Sequence, residues 1–467
     1  MDGRKLVVVE ANEVPRRIID DLIPTGRIPF FADLVESDRL LVTTADDPKP
    51  RELYPSQSWA SLNTGVGFDD HGIYWYGDPK PERYPLYWQV AARSGRSIGL
   101  VNTLHSSPVR TQCRDGEYRF VIPDCFSAEA EAIPADLMPF QQANAALTSA
   151  NGRTVGLRRA PRQLLALAGS LPKLGVTPRT VADLATLVGG TAIGRIPHER
   201  LRTAQFLLLQ DLFLRLLDSE QPDLAVFFTN HVAAAMHRYW YAMYPNDFDE
   251  AHYDERWVAR NRGEIAAALV TLDRYLRRLH RWCERHDRTL IVLSSMGQGP
   301  SRSLQAAVRR EVVIVEPRRF LDTVGIDPTV EVRGSMVPQL TLECRTPHMA
   351  SEVAAILADV EAGEVFWDVD GADTVVTLTY HLDPVSSTSV RLAGARYPAD
   401  EIGVAVYEVD DHSSGRHIPE GILGIANSPS FKPADDNVLD ALNVAPAILT
   451  HLGVTPPDHL QEPVFSV

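Results

Sequence analysis

The chain has 467 residues, a formal net charge of −15, 45% hydrophobic and 23% charged residues. This is an ordinary globular composition, long enough for one large α/β domain and a smaller one. The acidic balance excludes a nucleic-acid grip, and no apolar run is long enough to span a bilayer. The scattered Cys113, Cys125, Cys283 and Cys344 lack zinc-knuckle spacing and read as free buried thiols, with a Cys113–Cys125 disulfide as the alternative.

Residues 1–5 lead straight into the apolar stretch 6–9, with no secretory leader, which points to a cytoplasmic protein. That stretch reads as a strand buried on both faces. It ends in Glu10, Ala11 and Asn12, at the carboxyl edge where open α/β sheets bind ligands. A helical or loop return follows over 18–35. The run Gln57-Ser58-Trp59-Ala60-Ser61-Leu62-Asn63-Thr64-Gly65 reads as a helix start at the mouth of the sheet, where free N–H groups attract anions. His71, in His71-Gly72-Ile73, reads as a turn-capping residue. Residues 97–101 form the next strand.

Residues 127–202 break this rhythm and read as a helical insertion, with patches at 162–171 and 181–187. An amphipathic helix over 203–219 precedes a strand at 223–228, which ends in Thr229, Asn230 and His231. A long helix over 261–286 turns Ile265, Leu269, Leu272, Leu276 and Leu279 to one side. The strand at 289–293 ends in Ser294, Ser295 and Met296. Residues 302–398 read as a smaller α+β subdomain with one helix at 349–360, so the core comprises 1–126, 203–301 and 399–467. Strands at 404–409 and 421–426 flank a loop carrying His412 and His417. If the buried strands are parallel neighbours, their polar ends converge near Ser58 on one site.

Several motifs carry a family resemblance: the run ending in Thr64-Gly65, the following His71-Gly72-Ile73, His237 three residues before Trp240, the segment His417-Ile418-Pro419-Glu420-Gly421, and the closing Asn443-Val444-Ala445-Pro446 followed by Leu452-Gly453. In this order they resemble the alkaline phosphatase superfamily, which includes type I phosphodiesterases and sulfatases. The resemblance implies an α/β/α sandwich with a mostly parallel central sheet. It also implies hydrolysis of small-molecule phosphate (di)esters or sulfate esters by two cations and a hydroxyl nucleophile.

Residue by residue, Glu10 stands for the first-strand aspartate, as ligand or base. His237 and His417 match the two imidazoles, and the aspartate expected before His237 falls on Ala233, with Asn230 nearby. The segment usually reading Ser-Asp-His-Gly is Ser294-Ser295-Met296-Gly297, which removes two ligands. The nucleophile position falls on Pro55 without a gap, leaving Ser56 or Ser58 for that role. The expected centre is therefore reduced: one divalent ion of the zinc or manganese type, held by His237 and His417 with Glu10, Asn230, His231 or His412, or no ion. The alternative is an inactive relative that binds a phosphorylated or sulfated ligand or a protein partner.

Overall fold

The computed structural model describes residues 4–49, 51–124, 131–149, 175–250, 253–301, 308–333, 339–358, 365–372, 374–382, 389–392, 395–410, 413–431, 438–463, 465 and 467. The short apolar stretches assemble into a sheet because each is too hydrophobic to leave either face in water. Its strands are β1 (Lys5–Ala11), β2 (Leu40–Thr44), β3 (Ser97–Val101), β4 (Glu117–Ile122), β5 (Leu224–Thr229) and β6 (Arg288–Leu293). A small ribbon follows, β7 (Gly297–Pro300) paired with β8 (Gly415–Ile418), and β9 (Glu420–Ala426) and β10 (Val438–Asp440) return to the large sheet. The eight strands lie in the order β10-β2-β9-β6-β1-β5-β3-β4.

All neighbours in this sheet run parallel except β9, which is antiparallel to β2 and β6. The expectation of a mostly parallel sheet holds, with β9 as the antiparallel strand. The reason is the ribbon: β8 pairs antiparallel with β7 and enters β9 at once, reversing its direction. The start of β9, rather than its end, thus lies at the edge where β1, β5 and β6 finish, and it brings His417 there.

Helices cover both faces. Leu6 and Val8 of β1 pack with α1 (Pro55–Thr64), α2 (Tyr87–Arg93) and, near the C-terminus, Val444–His451. Val7, Val9 and Ala11 pack on the other side with the helices Thr203–Glu220, His231–Met243 and Glu264–Arg285. The alternation follows from the two-residue period of a strand. The helix Thr203–Glu220 is buried over most of its surface, more than its sequence suggests, and Pro178–Ala192 packs against it. That second helix contains the 181–187 patch; the 162–171 patch lies outside the described residues.

A separate four-stranded antiparallel sheet is built from Glu331–Arg333, Gln339–Glu343, Val365–Ala372 and Val375–Leu382, around Phe320, Leu342 and Val376. The strand Val404–Asp410 pairs with Val308–Ile314 instead of joining the large sheet. Cys113, Cys283 and Cys344 are free and buried, while Cys125 lies outside the described residues. Among the described residues, no helix is long and apolar enough to cross a membrane.

Candidate cation centre

β1 leaves the sheet through Asn12 and Glu13. Glu13 takes φ = 61°, the left-handed region that a β-carbon disfavours. The turn is held from the next strand: Ser294 Oγ accepts the Val14 N–H at 2.9 Å and donates to the Met296 carbonyl at 2.6 Å. A strained backbone under a buried charged side chain is a mark of a functional position.

His237 is carried by the helix His231–Met243. This helix is kinked at Tyr239 (φ −117°, ψ 15°). Beyond the kink, the Tyr241 N–H donates to Ser414 Oγ at 3.0 Å, and Ser414 N–H donates to the His237 carbonyl at 2.7 Å. β8 therefore runs hard against the helix, and position 415 admits only glycine. A Cβ there would lie 2.6 Å from Gln298 Oε1 and 2.7 Å from the Met236 carbonyl. Two residues later, β8 presents His417.

The three side chains meet. Glu13 Oε2 lies 2.9 Å from His237 Nε2 and 3.5 Å from His417 Nε2. One donor atom from each residue lies within 4.8 Å of the other two. The opposite ring nitrogens bond to the backbone: His417 Nδ1–H donates to the Leu53 carbonyl at 2.7 Å and His237 Nδ1–H to the Gly415 carbonyl at 3.2 Å. A carbonyl oxygen only accepts, so each Nδ1 carries a proton. In the neutral rings, both Nε2 lone pairs then face a carboxylate.

Three electron-rich atoms aimed at one point need a positive charge between them. The neutral rings with outward Nδ1–H bonds form the outer support that metal-bound histidines use. Two imidazoles and a carboxylate also form the donor set of catalytic zinc sites with one open position. The residues present thus fit a divalent cation. Protons supply the charge otherwise. Burial pulls the His417 pKa down, but Glu13 outweighs it and the net shift is upward. Burial raises Glu13, and the two imidazoles more than reverse this, holding it well below the usual carboxylate range. Gln298 Nε2 donates to Glu13 Oε2, and Asn12 Nδ2 donates to Glu13 Oε1 at 2.6 Å.

Of the residues expected from the sequence, His237 and His417 are together and Glu10 is elsewhere. Glu10 sits within β1 on the face of Leu6 and Val8, fully buried, with no partner for either carboxylate oxygen. Burial alone pushes its pKa up to about 8. Glu13, three residues on, takes the place beside the imidazoles; the sequence reading passed over it. Its signal was a second acid at the same strand end, in a chain whose expected aspartate near His237 is Ala233.

His231 faces away from the group. It stacks on Phe206 at 3.9 Å, its Nδ1 meets Thr229 Oγ1 at 2.8 Å, and its Nε2 meets the Ala268 carbonyl at 3.2 Å. Burial draws its pKa down to about 3, so it is neutral. Asn230 lies one bond away from the group, accepting from Asn12 Nδ2 at 2.8 Å. His412 lies outside the described residues. His71 is structural as read: its Nδ1 accepts the Ile73 N–H at 2.9 Å, and its Nε2 donates to Ser61 Oγ at 2.8 Å.

Next to this charged corner lies a neutral one. Ser58 Oγ and Ser295 Oγ share a bond of 2.8 Å, and Ser56 Oγ donates to the Tyr74 carbonyl at 2.5 Å. Trp59 Nε1 donates to Asn12 Oδ1 at 2.7 Å. Met296 packs with Ala45 and Leu53. Pro55 opens α1 without a hydroxyl. Ser56 and Ser58 are both hydrogen-bonded, and among the described residues neither bonds to an imidazole or a carboxylate.

The family model for type I phosphodiesterase / nucleotide pyrophosphatase matches residues 7–384. No curated protein sequence gives a match. Among solved structures, the phosphonoacetate hydrolase of Sinorhizobium meliloti 1021 in complex with phosphonoacetate is similar at 14% identity, covering 97% of this chain and 96% of that one, with a TM-score of 0.40. Human ectonucleotide pyrophosphatase / phosphodiesterase 5 is similar at 11% identity, covering 98% and 97%, with a TM-score of 0.39. These likenesses are distant and carry no residue roles. The family match runs from β1 through the helix bearing His237 and well into the second sheet, although it stops short of His417. On the strength of that span, the chain belongs to the type I phosphodiesterase / nucleotide pyrophosphatase family.

Proposed function

We propose that the protein is a phosphate-ester hydrolase with a reduced centre, in which Glu13, His237 and His417 hold a single divalent cation of the zinc or manganese type. The observation that carries this reading is the convergence of one carboxylate and two Nε2 atoms whose rings are locked by Nδ1–H bonds to Leu53 and Gly415. When bound, such a cation lowers the pKa of a water and offsets charge on a phosphoryl or sulfuryl oxygen.

The protein's own groups define the rest. Gln298 and Asn12 fix the two oxygens of Glu13, so the carboxylate cannot rotate out of the centre. Pro55 has no hydroxyl, Ser56 donates to the Tyr74 carbonyl, and Ser58 shares a hydrogen bond with Ser295. Water is therefore the attacking group in this reading, and no covalent intermediate forms on the chain. Small phosphate esters are the substrate class; sulfate esters belong to the same test.

A second reading, an inactive relative that binds a phosphorylated or sulfated ligand, is favoured by the neutral corner. Metal content and turnover of nitrophenyl phosphate, bis-nitrophenyl phosphate and nitrophenyl sulfate separate the two. About one equivalent of bound metal, with turnover abolished in His237→Ala, supports the hydrolase. Binding of inorganic phosphate without turnover of any ester supports the binder.

A further inference from the structure

A cleft of about 430 Å³ opens between the large domain and the second sheet. That volume lies in the range of about 300–1,000 Å³ typical of small-molecule sites, which favour such boundaries. One wall is the segment after Ile73, including Tyr76 and Lys80; another is the loop with Pro108; the far wall is the strand with Val332 and Arg333. The two bodies approach closely here, and a Cβ on Gly77 would lie 2.4 Å from Thr341 Cγ2.

Several charges around the cleft are already matched, and Asp124 and Glu331 also line it. Arg333 is held by Glu343, and Arg110 lies 3.6 Å from Glu131. Asp78 Oδ2 accepts the N–H groups of Tyr74 and Trp75 at 2.8 and 2.7 Å. Lys80 differs. It is half-buried against the cleft and has no hydrogen bond or ion pair among the described residues. Burial, aided by Arg333, lowers its pKa, and Asp124 and Asp78, beyond ion-pair distance, offset this only in part. A lysine ammonium without a partner, at the wall of a cleft with the apolar surfaces of Tyr76, Pro108 and Val332, is an anchor for an anion with an organic body.

We infer that this cleft is a binding site for a small organic anion, whose carboxylate or phosphate group pairs with the Lys80 ammonium while its body lies on Tyr76, Pro108 and Val332. The site is separate from the Glu13–His237–His417 centre and stands whether or not that centre hydrolyses esters.

Calorimetric titration of the full chain with benzoate, phenyl phosphate and uncharged benzamide tests it. The expected result is binding of at least one anion, with benzamide at least about tenfold weaker, the loss of one charge-assisted hydrogen bond. Whichever anion binds more tightly identifies the charged group. Lys80→Met should weaken the anion at least about tenfold, and Lys80→Arg should retain it within about threefold. In parallel, the bound anion should slow acetylation of Lys80 by acetic anhydride, read by mass spectrometry, without protecting Lys5, Lys49, Lys173 or Lys432. Circular dichroism confirms that the variants fold. Equal affinity in wild type and Lys80→Met overturns the inference, as does failure of both anions to bind. Loss of binding in His237→Ala but not in Lys80→Met assigns the anion to the cation centre and also overturns it.

Discussion

The charged and neutral corners of this edge solve the same problem in opposite ways. Both bury polar groups where strands end. At the neutral corner Ser58 pairs with Ser295, and Asn12 pairs with Trp59 and Asn230 while also donating to the Glu13 carboxylate. At the charged corner a carboxylate faces two imidazoles whose other nitrogens are already committed. A neutral network closes on itself, whereas a buried charge needs a counter-charge from a proton or a cation. In the proposed reading, that difference puts ligand chemistry at Glu13 rather than at the serines.

The sharpest way to break this comparison is to remove the carboxylate. Glu13→Ala should abolish the bound equivalent of metal and reduce ester turnover by at least about a hundredfold, because the site loses the one anionic ligand it has among the described residues. Elemental analysis and the nitrophenyl assays check this; full metal retention would falsify the assignment.

Glu10 is a second buried acid, with no hydrogen bond to either oxygen among the described residues, and it tests the rule from the other side. Its folded pKa of about 8 stands above the ordinary value of 4.5. Below pH 4.5 the group is protonated in both states and costs nothing. As pH rises from 4.5 to about 8, the unfolded chain releases this proton and the folded chain keeps it. Folding then loses about 1.4 kcal/mol per pH unit, and the loss levels off above that window. Glu10→Gln should therefore match wild type in Tm near the acid end of the window and become progressively more stable toward its alkaline end. A Tm difference that is flat with pH would show that Glu10 has an unseen partner.

Gln298→Ala leaves the ligands in place but frees Glu13 Oε2 from its donor. Cation affinity should fall about 10–100-fold, the usual consequence of losing an outer support. Competition with a chelator reads this directly, and unchanged affinity would mean that Gln298 only fills space.

The smallest effect belongs to the neutral corner. Ser58→Ala should cost about 1 kcal/mol of stability and change turnover by less than about threefold, since the hydroxyl bonds only to Ser295. A hundredfold loss of turnover would restore Ser58 as the nucleophile and undo the contrast between the two corners.

Much of this molecule was legible along the chain. Apolar stretches of strand length declared the sheet, because a strand buried on both faces has no polar positions to hide. The heptad-like spacing from Ile265 to Leu279 declared the long helix, observed as Glu264–Arg285. His237 and His417 stood out through the order of motifs around them. What the chain could not state was which acid joins them. Glu10 and Glu13 differ by three positions, and only the fold decides that the first lies inside the sheet and the second in the turn beyond it. That decision rests on long-range contacts: the Ser294 hydroxyl on Val14, the β7–β8 ribbon that reverses β9, and the close pass of Gly415 along the kinked helix. Local sequence sets what each segment can be, whereas the meeting of segments hundreds of residues apart depends on how the whole chain packs.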